Sequence, residues 1–182
     1  MALIIPAAPK KKRVNSKSKG NGFEGKISKI LAEALAPMKF ARTPGSGARL
    51  GGQNFAAFGS MFSQVAMNMF VGDVVPINEQ DCEKNFRFTV ECKAYKDADK
   101  LENLLHGNSK IYGWMEEVLV DCVKVNKEGI VIFKWNNTPI YTAVKKDVQL
   151  PDSVKRIILT NGIQVSYLEE LLQHKDFWLK AR

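Results

Sequence analysis

The sequence feature that most constrains the fold is a pair of apolar runs, at 70–75 and 86–93, joined by the polar stretch 76–85. Runs of this length and composition, bounded by turn residues, predict β-strands. The polar stretch is long enough for an antiparallel hairpin. Because Asp73 lies in the first run and Glu91 in the second, such a hairpin would set the two acids side by side.

The end of the second run carries charge where a core strand normally carries none. Alternate side chains of a strand share a face, so Glu91 and Lys93 project together and Cys92 points the other way. A carboxylate and an ammonium are costly to place beside a core. The pair therefore predicts either a functional site or a structural ion pair.

Both interpretations are chemically sound. Mg²⁺ prefers oxygen ligands and needs only one or two carboxylates, which Asp73 and Glu91 would supply together with the carbonyl oxygen of Cys92. Lys93 would then hold an attacking water or offset charge on a phosphate. A cross-strand ion pair at a sheet end is the alternative, and these two strands alone slightly favour it.

The remaining patterns predict a mixed α/β domain in which helices flank a sheet. Along the chain the predicted elements follow the order αββαββ with additions. The helices are at 23–36, 53–70, 97–106, 111–125 and 167–172, and the strands at 38–42, 129–135, 140–144 and twice within 154–166.

Positive charge is concentrated at the start of the chain. The net charge is +8, and the first 20 residues hold six basic residues and no acid, so the rest is nearly neutral. Residues 1–22 are predicted to be a flexible basic arm that contacts DNA phosphates, and 9–14 also resemble a nuclear-import signal. The predicted DNA-contacting residues of the arm are Lys10, Lys11, Lys12, Arg13, Lys17 and Lys19.

Composition excludes several classes of protein. Three scattered cysteines do not make a disulfide framework or a zinc site and suit a reducing compartment. No apolar run is long enough to span a bilayer, and the glycines at 45, 47 and 51 lack the context of a nucleotide-binding loop. We expect a cytoplasmic protein of a bacterial, archaeal or phage-infected cell, with nuclear import as the lesser alternative.

Two further features precede Asp73, Glu91 and Lys93 in the sequence, and together with them form an ordered set of motifs. Glu24 lies in the first turn of the predicted first helix, and the loop 42–48 reads Arg-Thr-Pro-Gly-Ser-Gly-Ala. With Gly72-Asp73 and Glu91-Cys92-Lys93, this order resembles the PD-(D/E)xK nuclease superfamily, in particular the archaeal-type Holliday junction resolvases and their phage-borne relatives. The resemblance implies a restriction-endonuclease-like fold.

The resemblance also implies a role for each matching residue. Asp73, Glu91 and Glu24 would bind Mg²⁺, with Mn²⁺ as an alternative. Lys93, Glu24 and Ser46 would be the catalytic residues, with Lys93 positioning the water and Ser46 contacting the phosphate region. Arg42 is added to the predicted DNA contacts. The segment 49–70 resembles an insertion into domain 23–182, and Glu117 stands where many relatives carry Gln.

The sequence thus predicts a Mg²⁺-dependent endodeoxyribonuclease, in particular a homodimeric Holliday junction resolvase that acts on four-way or branched DNA without a membrane. Two alternatives stay open. One is a nuclease-like DNA-binding protein that no longer cuts. The other is a nuclease of the restriction or repair type.

Overall fold

The computed structural model describes residues 16–43 and 63–180, and these residues form a seven-stranded mixed sheet with helices on both faces. The strands are β1 (Phe40–Arg42), β2 (Val74–Pro76), β3 (Phe88–Ala94), β4 (Glu128–Lys134), β5 (Tyr141–Lys145), β6 (Arg156–Ile158) and β7 (Ile163–Tyr167). Their order is β1-β2-β3-β4-β5-β7-β6, with β3 and β4 parallel and all other neighbours antiparallel. The predicted α/β class is confirmed.

Helices cover the sheet and connect its strands. They are α1 (Ser16–Ala34), α2 (Gln64–Phe70), α3 (Leu101–Leu105), α4 (Lys110–Val125) and α5 (Leu168–Leu171), with a π-helical turn at Asp81–Asn85 and a 3-10 turn at Lys175–Trp178. In the described ranges, no helix has both the length and the apolarity to cross a membrane.

Helix α1 packs on one face of the sheet. Its apolar residues at i, i+4 and i+8, Phe23, Ile27 and Leu31, are buried against even-numbered β3 residues such as Val90 and Cys92. Each such fully buried side chain contributes roughly 1.5–3 kcal/mol. This packing fixes α1 beside the middle of β3, which brings Glu24 towards the same strand.

Helix α4 packs on the other face. Ser109 caps its start, since the Ser109 hydroxyl oxygen accepts a hydrogen bond from Ile111 N at 3.1 Å. Trp114 and Val118 are buried in a second core with Val131 and Phe133 of β4. The odd-numbered residues of β3, Glu91 and Lys93 among them, therefore face α4, as the alternation predicted.

Several predicted boundaries were wrong. Residues 16–22 belong to α1 and not to an unstructured arm, and residues 70–73 end a helix and bend before β2 begins at Val74. The polar stretch 76–85 contains a π-helical turn, which is stabilised because Asn78 Oδ1 accepts from Asp81 N. Residues 53–62 of the predicted second helix, and 49–62 of the predicted insertion, lie outside the described residues.

Candidate active site

Asp73 is held at the start of β2 by backbone geometry on both of its sides. Its N–H donates to Val90 O at 2.8 Å, and its Oδ2 accepts from Cys92 N at 2.8 Å. Gly72 precedes it with a φ of +97°, and a Cβ at that position would lie 3.1 Å from Val90 O. Glycine is therefore required there, because only glycine adopts this conformation without cost and leaves room for the strand.

Glu91 and Lys93 leave β3 on the same face, two residues apart. Lys93 Nζ lies 2.8 Å from Glu91 Oε1, and both side chains are largely buried. Cys92 between them faces α1, so its backbone N–H can reach Asp73 from the strand edge. One short length of β3 thus connects the two acids and the lysine of the predicted site.

A third carboxylate, which the sequence did not assign to this lysine, completes its surroundings. Glu117 on α4 lies with Oε2 at 2.6 Å from Lys93 Nζ, and its side chain is largely exposed. Lys93 is therefore held between a buried acid on its own strand and an exposed acid on the helix. One signal in the sequence could have indicated this contact. Glu117 follows the buried Trp114 by three residues, so the two side chains lie next to each other on the surface of α4.

Glu24 approaches from the opposite side, on α1. It is buried, and Arg42 on β1 donates from Nε to Glu24 Oε2 and from Nη2 to Asn21 Oδ1, the latter at 2.9 Å. Arg42 was predicted to contact DNA. In this structure its guanidinium is engaged by Glu24 and Asn21, so it fixes the first helix against the sheet edge.

The electrostatics show that these carboxylates share one environment. Burial first, and then the negative charge of Asp73, raise the pKa of Glu91 to about 7, although Lys93 acts in the opposite direction. Burial raises the pKa of the Cys92 thiol well above its ordinary value, and the charges of Asp73, Glu91 and Glu24 add to that rise. Burial lowers the pKa of Lys93, but Glu91 and Glu117 outweigh it, so the net pKa is raised and Lys93 is an ammonium.

The donor set suits a hard divalent cation. Asp73 and Glu91 offer carboxylate oxygens, and Cys92 offers a backbone carbonyl between Glu91 and Lys93. Mg²⁺ is bound in proteins through one or two carboxylates while it keeps several waters. Over residues 16–43 and 63–180, no three or more His, Cys, Asp or Glu side chains are grouped so that they alone could hold a metal. Such a cation would therefore depend on two acids, the backbone and water.

The other predicted residues fall outside this cluster. Ser46 and the arm residues Lys10, Lys11, Lys12 and Arg13 lie outside the described residues, and Lys17 and Lys19 fall within the first turns of α1. A cleft of about 1260 Å³ is lined by residues at the other ends of β3 and β4, including Arg87, Lys127 and Glu128. None of the four acids of the candidate site lines this cleft, so the candidate site and the cleft are separate.

A mixed sheet with a buried Asp on one strand and Glu-x-Lys on the next, flanked by a helix that carries Glu, defines a nuclease domain of the PD-(D/E)xK type. Residues 15–177, nearly the whole chain, match the model of the family described as "Phage putative PDDEXK endonuclease", and the chain belongs to that family. No curated protein and no solved structure matches the chain. The protein is thus a PD-(D/E)xK-type nuclease, and a nuclease of this family binds DNA and generally uses a divalent metal ion.

Proposed function

We propose that this nuclease is a Mg²⁺-dependent endodeoxyribonuclease that cuts branched DNA, in particular Holliday junctions, as a homodimer. The observation that carries the proposal is the geometry around Cys92. Its N–H binds Asp73, and its neighbours Glu91 and Lys93 are paired at 2.8 Å. The family match supports the nuclease activity, and the oxygen donors support the choice of Mg²⁺.

In this proposal the residues of the site have two roles, metal binding and positioning of the attacking water. Asp73, Glu91 and the Cys92 carbonyl would hold Mg²⁺, which when bound acidifies a water and offsets phosphate charge. Lys93 donates hydrogen bonds that orient the attacking water or stabilise the charge that builds on the phosphate. Its ammonium is kept in the charged form by Glu91 and Glu117.

Glu24 and the basic residues would serve the substrate. Glu24 would accept a hydrogen bond from a water at the site, since it is buried, it is oriented by Arg42, and its charge acts on Cys92, whose N–H binds Asp73. Ser46 would contact the phosphate region, and the basic residues at 10–19 would bind the phosphates of flanking DNA, which predicts strong salt dependence. A branched substrate is cut on two strands, and paired cuts require two sites related by a two-fold axis.

The test is cleavage of a synthetic four-way junction with and without Mg²⁺. We expect cleavage to require Mg²⁺ and to fall at least about 100-fold in Asp73→Asn and Lys93→Met. Lys29→Met, at an exposed position on α1, is the matched control for loss of one lysine. Glu24→Gln should also lower cleavage, because Glu24 would bind a water at the site, and Glu33→Gln, also exposed on α1, is its control.

The outcomes separate the alternatives. Junction cleavage that survives Asp73→Asn or Lys93→Met would overturn the assigned site. Equal cleavage of linear duplex would leave a nuclease of the restriction or repair type. Binding of the junction without cleavage in any metal would support the DNA-binding protein that no longer cuts. Sedimentation of the free protein and of its junction complex tests the dimer.

A further inference from the structure

A row of partly exposed aromatic side chains crosses the sheet directly beyond Lys93. Its members are Tyr95 after β3, Trp135 after β4, Tyr141 on β5 and Tyr167 on β7. These strands are neighbours in the sheet, so the row crosses four adjacent strands. We refer to these four residues as the aromatic row.

Backbone pairing places the row on the same face as the active site. The ladder of β3 and β4 continues past their ends, because Tyr95 N donates to Lys134 O at 3.0 Å and Asn136 N donates to Lys96 O at 3.3 Å. Tyr95 follows Lys93 by two residues and so shares its face. At about 3.3 Å per residue, the two lie about 7 Å apart along the strand.

The rings contact one another through two buried aromatics. Tyr95 stacks on Trp114 with ring centroids 5.0 Å apart, and Trp114 lies 5.6 Å from Phe133. Phe133 lies 5.2 Å from Trp135. The row continues because Tyr141 lies 5.6 Å from Trp135 and 5.4 Å from Tyr167. Because Trp114 and Phe133 are fixed in the core, they hold the partly exposed rings rigidly.

The outer ends of these side chains remain available for a ligand. Tyr95 is 37% exposed, and Lys110 Nζ lies 4.8 Å from the centre of its ring. Among the described residues, neither the phenol oxygen of Tyr95 nor the indole N–H of Trp135 makes a hydrogen bond. The Lys110 ammonium lies over the Tyr95 ring, on which Trp114 also stacks. Movement of this ammonium from the ring to a phosphate would open the ring to a base.

We propose that the aromatic row binds unpaired nucleotides of the DNA by stacking, with Lys110 contacting a phosphate. Rigid aromatic rings beside cations are the recognised means of holding single-stranded nucleic acid, because every base has a π-face. Within the branched DNAs of the proposed function, the aromatic row would favour those that expose unpaired bases at the branch, near the phosphate that is cut. The identity of the substrate as branched DNA rests on the proposed function. The binding of unpaired nucleotides by the aromatic row does not.

The test measures DNA binding by fluorescence anisotropy. Ca²⁺ replaces Mg²⁺ so that binding is measured without cleavage. Two labelled DNAs of equal length are compared: a splayed duplex with two single-stranded arms, and a blunt duplex. We expect a preference for the splayed DNA that falls at least about fivefold in Tyr95→Leu and persists in Tyr95→Phe, which keeps the ring. Val123→Ala, on the exposed side of α4, is the control for truncating an exposed apolar side chain.

A second measurement needs no variant. A 5-bromodeoxyuridine placed at the branch of the splayed DNA is photo-crosslinked to the wild-type protein, and the crosslinked peptide is mapped. We expect Tyr95 or Trp135. An unchanged preference in folded Tyr95→Leu, or crosslinks that map to neither residue, would overturn the proposal. Absence of cleavage with intact crosslinking would refute the nuclease function while supporting the aromatic row.

Discussion

Replacing Gly72 by alanine tests whether the backbone before Asp73 builds the site. Gly72 has a φ of +97°, and an added Cβ would approach Val90 O to 3.1 Å. Holding a non-glycine residue in this conformation costs about 1–2 kcal/mol. Val90 O also accepts the N–H of Asp73 at 2.8 Å, and a shift of that carbonyl loses a hydrogen bond of about 1 kcal/mol. We expect Gly72→Ala to lower the free energy of unfolding by about 2–3 kcal/mol.

The effect on cleavage should exceed the effect on stability. Asp73 is tied to Val90 and Cys92 through atoms next to Gly72, so relief of the contact moves its carboxylate. A displacement of about 1 Å at a reacting centre costs about 100-fold in rate. We expect Gly72→Ala to lose about 100-fold in cleavage rate. The rate is measured at a temperature where urea unfolding curves show that the variant is fully folded, so that unfolding does not account for the loss.

Gly113→Ala is the matched control. Gly113 lies within α4, and a Cβ there would meet nothing within 4 Å. Alanine is favoured over glycine inside a helix by roughly 0.5–1 kcal/mol, so this variant should be more stable and equally active. A Gly72→Ala protein with wild-type stability and wild-type cleavage would refute the reasoning that this glycine positions Asp73.

Three further predictions concern charge and packing. Burial and the nearby Lys180 lower the pKa of Lys127 from 10.5 to about 8, so the folded state binds fewer protons than the unfolded state between these values. The free energy of unfolding of the wild type relative to that of Lys127→Met should therefore rise with pH across that window, and urea titrations should show Lys127→Met more stable at pH 7 by about 1–2 kcal/mol. Removal of residues 1–15, with four basic residues, should reduce the slope of log affinity against log salt by up to about 3.6 in anisotropy titrations, at about 0.9 per phosphate contact. Trp178→Phe replaces the fully buried indole by a smaller ring and loses its 3.0 Å hydrogen bond to Leu171 O, and calorimetry should show a loss of about 2–4 kcal/mol.

The strand that carries the site could be predicted because its information is local. Period-two alternation fixes the shared face of Glu91 and Lys93, and the hydrophobic pattern fixes β3 as a strand. Asp73 was predicted within a strand, but the strand begins one residue later. The bend at Gly72 depends on close approach to Val90, which is a tertiary contact that the apolar run does not encode.

Contacts between elements distant in sequence could not be predicted. Glu117 contacts Lys93 because α4 packs across β3 with this part of its surface turned towards the strand. The hydrophobic periodicity of the sequence predicts which side of α4 faces the core, but it does not predict which residue each polar side chain of the helix contacts. The pairing of Arg42 with Glu24 likewise depends on how α1 docks beside β1. Arg42 was assigned to the DNA because it begins the segment 42–48 on which the family resemblance rests, and that resemblance does not specify its ion pair with Glu24.

The charge balance of the site explains why a divalent cation and the DNA belong together there. Among the described residues, four carboxylates lie in or around this site, and two cations, Lys93 and Arg42, form ion pairs with three of them. The carboxylates are those of Asp73, Glu91, Glu24 and Glu117. When all four are ionised, two negative charges remain, and a DNA phosphate would add a third at a partly buried position where repulsion is weakly screened. One divalent cation balances the two negative charges that the site holds before the phosphate binds. Contact between the scissile phosphate and the site should therefore depend on metal, whereas binding through residues distant from the acids should not.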